Sequence, residues 1–102
     1  MAMKLLTKEI IKKLPIYSKI EDLEPEETLI IVKFHSRLGW SGYVVSADHM
    51  PDGEIEFYGI ISDPDGIGLG FFDLSTLKDI EAERDKFFKP SLASDVLDGL
   101  VK

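Results

Sequence analysis

Cysteine is absent from this chain, which excludes disulfides, thiolate metal sites and a cysteine nucleophile. The same absence suits a reducing cytoplasm, the expected location. Long apolar runs are also missing. Stretches such as "LIIV" fall far short of the roughly 20 residues that a membrane span needs. The opening "MAMKLLTKEIIKKLP" meets lysines and a glutamate before any apolar run of signal-peptide length. No membrane association is expected.

Positive charge is scarce as well. The chain holds 12 Lys and Arg against 19 Asp and Glu. Five of the lysines lie between Met1 and Lys19 against a single glutamate, so within a net charge of −7 the remaining residues carry −11. A body of that sign repels nucleic-acid phosphates, and general DNA or RNA binding is not expected. An acidic surface also serves solubility.

What is present is an ordinary globular composition, with 44% hydrophobic residues in 102. This length fits one domain, residues 1–102, burying about 60–70% of the surface of its unfolded chain. "TKEIIKKLP" reads as a short helix: Thr7 caps it, Glu9 suits its first turn, Lys12 and Lys13 its last, and Pro15 ends it. Leu6, Ile10, Ile11 and Leu14 form its apolar stripe. Lys8 and Lys12 fall on the other side, as expected of a solvated face.

"SKIEDLEPEE" reads as a loop. Then come "TLIIVKFHS", "WSGYVVSAD" and "EIEFYGIIS", separated by "RLG" and "HMPDG", the second with Pro-Asp-Gly turn chemistry. In the third strand Ile55, Phe57 and Gly59 alternate with Glu54, Glu56 and Tyr58, predicting one buried and one wet face. "DPDGIG" reads as a turn before a short strand "LGFFDL". Short links between sequential strands predict an antiparallel meander. "STLKDI" reads as a brief helical turn capped by Ser75, and Leu92, Val96 and Leu100 mark a final amphipathic helix. The expected fold class is α+β: a four-stranded antiparallel meander with short N-terminal and C-terminal helices.

"KLLTKEIIKKLP", "FYGIISD…LGFFDLSTL" and "ERDKFFKP", in that order, resemble the bacterial domain of unknown function 2958 family, over roughly Lys4 to Pro90. The family is named for having no assigned activity. Many of its members sit on plasmids and other mobile elements, so the resemblance implies an accessory role. Members tend to carry a glutamate just before the Leu-Gly-aromatic strand and another in the second strand, where this chain has Gly68 and Ser46. If those acids form a site in the family, this chain lacks it.

The candidate chemistry is sparse. A meander places His35 and His49 at opposite ends of the sheet, about 20 Å apart for some seven residues at ~3.3 Å each, so they share no metal. No metal site and no cofactor is expected. His35, Ser36, Arg37 and Trp40 share one end of the sheet with Asp63 and Asp65. A histidine, a hydroxyl and a carboxylate can form a hydrolytic triad, but no Gly-x-Ser-x-Gly elbow surrounds Ser36. A turn cluster, with Arg37 paired to an aspartate and Trp40 half-buried, is the preferred reading. "DPDGIGLG" lacks the lysine of a phosphate loop and the remaining ligands of an EF-hand.

In "ERDKFFKP", Pro90 holds Lys89 extended, and alternation sends Phe87 and Phe88 to opposite sides. Phe88 is expected to lock into the core and Phe87 to cover a sheet edge or receive the last helix, with Arg84 and Asp85 tying the segment to the sheet. In function, the sequence points to a small acidic accessory or protein-interaction module with a protein partner and no catalysis. DNA mimicry is one form this could take. The alternative is a small hydrolase or ligand-binding domain using the His35, Arg37 and Asp63 end of the sheet, where His35, Arg37, Trp40, Asp63 and Asp65 form the candidate ligand or partner cluster.

Overall fold

The computed structural model describes residues 5–101. Its elements are α1 (Lys8–Lys13), β1 (Leu29–Ile30), β2 (Val32–His35), β3 (Ser41–His49), β4 (Ile55–Asp63), β5 (Gly66–Asp73), α2 (Leu74–Asp79), β6 (Glu83–Arg84), β7 (Ser91–Leu92) and α3 (Ala93–Leu100). Single 3₁₀ turns at Tyr17–Lys19 and Pro25–Glu27 interrupt the segment expected as a loop.

The α+β class and the antiparallel meander hold. The sheet has five strands, however, in the order β5-β4-β3-β2-β6, and β1 and β7 pair in a second, two-stranded sheet. The fifth strand comes from "ERDKFFKP". Arg84 pairs with Phe34 and Glu83 with His35, and the Asp85 amide donates to the Lys33 carbonyl at 2.9 Å. Arg84 and Asp85 do tie the segment to the sheet. A two-residue strand carries too little periodicity to be recognised from sequence.

Both faces of the sheet are covered over its central strands. On one, Phe34, Val44, Phe57 and Phe72 pack with Leu14 from the end of α1 and Leu77 of α2. On the other, Tyr43, Val45 and Ile60 pack with Ile20 and Ala93, flanked by Tyr17, Tyr58, Phe88 and the Val96, Leu97 and Leu100 side of α3. Phe34, Phe57, Ile30, Ile60 and Leu77 are wholly buried, each contributing about 1.5–3 kcal/mol of transfer free energy. Double cover explains why central strand β3 is buried from Gly42 through Ala47 instead of alternating. It also corrects the wet face expected of β4, since Tyr58 is half-buried among aromatics.

One irregularity sets the register. Val44 pairs with Gly59 but Ser46 with Tyr58, so Val45 is an extra residue, a β-bulge. The bulge turns both Val45 and Ser46 to the Tyr58 side. Ser46 is wholly buried there, and its Oγ has no hydrogen-bond partner.

The helix ends follow their caps. Thr7 Oγ1 accepts from the Ile10 amide at 3.2 Å, as expected. The cap of α2 is Asp73, not Ser75: its Oδ1 accepts from the Thr76 amide and hydroxyl, both at 2.9 Å. Ser75 instead donates its hydroxyl to Glu54 Oε2, and its amide donates to Glu54 Oε1. After α1, the Ala47 amide donates to the Pro15 carbonyl and the Tyr17 amide to Asp48 Oδ2. These bonds pin the chain across β3 and place Tyr17 over the sheet.

Candidate functional site: the open edge of the sheet

The residues expected at the His35 end share that end of the sheet, where Ser41 lies opposite both His35 and Ser62, and each makes its own local contacts there. His35 is exposed at the end of β2, opposite Ser41, and His49 ends β3 opposite Ile55, so the two histidines lie at opposite ends as expected. Arg37 pairs with Glu81 at 3.1 Å rather than with an aspartate, and both side chains are largely exposed. Asp63 Oδ1 accepts from the amides of Asp65 and Gly66 at 2.9 and 3.1 Å, closing its own turn. Asp65 is exposed. Trp40 is half-buried as expected, edge-on to Phe72 with centroids 5.2 Å apart.

Two shallow depressions divide these residues. One of about 390 Å³ is lined by Arg37, Leu38, Asp79, Ile80 and Glu81. The other, of about 360 Å³, is lined by Asp63, Asp65 and the first strand residues of β5. Neither is lined by His35. Among the described residues no group of histidines and acids could hold a metal, and no helix is long and apolar enough to cross a membrane.

"ERDKFFKP" also departs from expectation. The Phe87 amide donates to Asp85 Oδ1 at 2.9 Å, and the Phe88 amide to the Asp85 carbonyl at 3.4 Å. The segment therefore turns at Lys86 and Phe87 instead of running extended. Phe87 is 91% exposed and neither covers an edge nor receives the last helix. Phe88 is half-buried, packing edge-on to Tyr43 with centroids 6.1 Å apart. It flanks the core rather than locking it. Phe88 and Pro90 line a groove of about 350 Å³ against Thr7, Ile10 and Lys13. Arg84, Asp85, Lys86 and Glu9 make its rim mixed in charge.

The least ordinary surface is β5. It begins at Gly66, three residues before the strand expected from sequence, because "DPDGIG" reads as a turn when its glycines are taken as breakers. Gly66 itself has φ +149°, a glycine conformation, at the turn. From there β5 pairs with β4 without a register break, from Gly66 opposite Asp63 to Asp73 opposite Glu56. No strand among the described residues pairs with its outer side.

Its two faces differ. Ile67, Leu69 and Phe71 point one way and are 40%, 52% and 49% exposed. Phe71 forms a ring triangle with Tyr17 and Tyr58, centroids 4.8–5.0 Å apart. Burial and, secondarily, the neighbouring Tyr17 hydroxyl raise the Tyr58 pKa above the ordinary tyrosine range. Leu69 reaches a small hollow with Leu23, Pro25 and Tyr58. The opposite face is bare only at its start, where Gly66 and Gly68 have open space above them and Gly70 meets only Ile61, before Phe72 packs into the core against Trp40 and Phe57. That face cannot include Ser46, because Ser46 shares the Tyr58 side while Gly68 pairs with Ile61 on the other.

No protein-family model, no curated protein and no solved structure matches this chain.

Proposed function

We propose that this chain is a small acidic accessory module of the cytoplasm that works through protein contact and not catalysis. The mobile-element context implied by the family resemblance belongs to the same proposal. One observation carries it: an eight-residue edge strand, whose outer side pairs with no strand among the described residues, has three large apolar side chains about half exposed along it. Native sheets blunt such edges with lysine, proline, bulges or brief strands. The β6 edge has that protection, being two residues long. Along β5 the only charge is Asp73, its last residue.

Photo-crosslinking in host cells tests the reading. A photoreactive residue at Ile67 is expected to give discrete protein adducts that one at Glu26, in the acidic loop, does not. Identical adduct patterns from the two positions, or none from Ile67, would defeat it.

A further inference from the structure

We propose that β5 receives an extended segment of a partner protein as a sixth strand, one with apolar side chains at alternate positions and lysine or arginine at both ends. This rests on the interaction reading above and specifies the mode of contact and the chemistry of the partner.

The mode follows from the backbone. An unpaired, unbulged strand presents its outward N–H and C=O groups in ladder spacing, and a second strand can satisfy them at about 4.8 Å. The glycines of β5 fit the same use. The fold does not require glycine at 68, since a β-carbon there would meet nothing within 4 Å. Glycine inside a strand weakens it, and is otherwise found where another backbone or ligand approaches closely. On the opposite face, an added strand would set alternate side chains beside Ile67, Leu69 and Phe71 and cover apolar surface now in water.

The charge of the partner follows from the ends of the strand. Asp63 and Asp65 flank its start, while Asp73 and its cross-strand neighbour Glu56 stand at its finish. The single ion pair among the described residues joins Arg37 to Glu81, so none of these four carboxylates is matched by a cation within 4 Å there. Basic groups at both ends of an incoming strand would meet them. A second copy of this chain fits poorly. Antiparallel pairing of two β5 strands sets Asp73 of one beside the Asp63 and Asp65 end of the other, at both ends of the ladder, and like charges opposed across strands are unfavourable.

Two synthetic peptides test this, each an alternating valine–threonine run, one ended by lysine pairs and the other by glutamate pairs. The lysine-ended peptide is expected to shift and protect β5 amides in NMR spectra of the whole chain. The glutamate-ended peptide should bind at least about tenfold more weakly, a gap that narrows as salt is raised. Leu69→Lys, at a half-exposed position, should weaken the lysine-ended peptide without altering the fold.

Equal binding of both peptides overturns the charge match. Binding elsewhere, or none, overturns strand addition. Dimers in sedimentation with protected β5 amides would make the occupant a second copy, and overturn the proposal while leaving the interaction reading standing. The crosslinking comparison at Ile67 and Glu26 judges that reading separately.

Discussion

The α-carbon of Gly59 lies directly against the carbonyl group of Tyr43, so that a β-carbon at Gly59 would collide with the carbonyl oxygen and stand 2.8 Å from its carbon. Val44, the pairing partner of Gly59, is followed by the bulged Val45. Beside this bulge the β3 backbone passes so close to Gly59 that only a residue without a side chain fits there.

Gly59→Ala is therefore expected to destabilise the fold by about 3 kcal/mol, the upper range for overpacking against unyielding backbone. Gly68→Ala, with open space above it, should be neutral or stabilising by about 0.5–1 kcal/mol, because alanine restricts the unfolded chain. Urea unfolding of the two variants checks both signs. Equal effects would contradict the geometry.

Phe87→Ala should change stability by less than about 0.5 kcal/mol, as substitutions of exposed residues do. Phe88→Ala should cost about 2 kcal/mol. That lies below the 3–5 typical of a fully buried aromatic, since this ring is only half-buried against Tyr43. Thermal unfolding midpoints decide between them.

Removing the unpartnered hydroxyl of Ser46 should help the protein. The Oγ is buried without a hydrogen bond, and a buried orphan costs about 1–3 kcal/mol of desolvation. Ser46→Ala is expected to raise the unfolding midpoint in urea with an unchanged denaturant slope. A fall would mean that the hydroxyl is satisfied in solution.

Glu54 titrates below the ordinary carboxylate range chiefly because its carboxylate accepts from the Ser75 hydroxyl; desolvation opposes this, the Ile55 and Ser75 amides add to the lowering, and the nearby Asp73 charge opposes it last. A depressed folded-state pKa gives stability that is present above the unfolded pKa and lost as the pH falls through the folded one. Ser75→Ala should move the Glu54 titration, followed by NMR, up toward its usual value. It should also flatten the acid-side loss of stability in that window. An unmoved titration would refute the contact.

Much of this molecule was legible in the chain order of its residues. Thr7, Glu9 and Pro15 bound α1 because caps and proline act locally, within a turn of helix. The long strands β3 and β4 and their Pro-Asp-Gly link were likewise legible, since β-branched runs and turn chemistry are short-range signals. Those signals together dictate an antiparallel meander, and they keep His35 and His49 apart.

Only the tertiary structure decided what each segment touches. Arg37 found Glu81 because the chain after α2 returns beside the β2–β3 turn, a meeting of residues 44 positions apart. Glu83 and Arg84 became a strand because β2 offered an open edge, which no propensity of two residues could reveal. Tyr58, set for water by its alternation, was enclosed by Tyr17 and Phe71 from either side of the sequence. The glycines of β5, which locally read as a turn, were drawn into a ladder by β4. Strand pairing is long-range, and its hydrogen bonds outweigh the modest preference of glycine for turns.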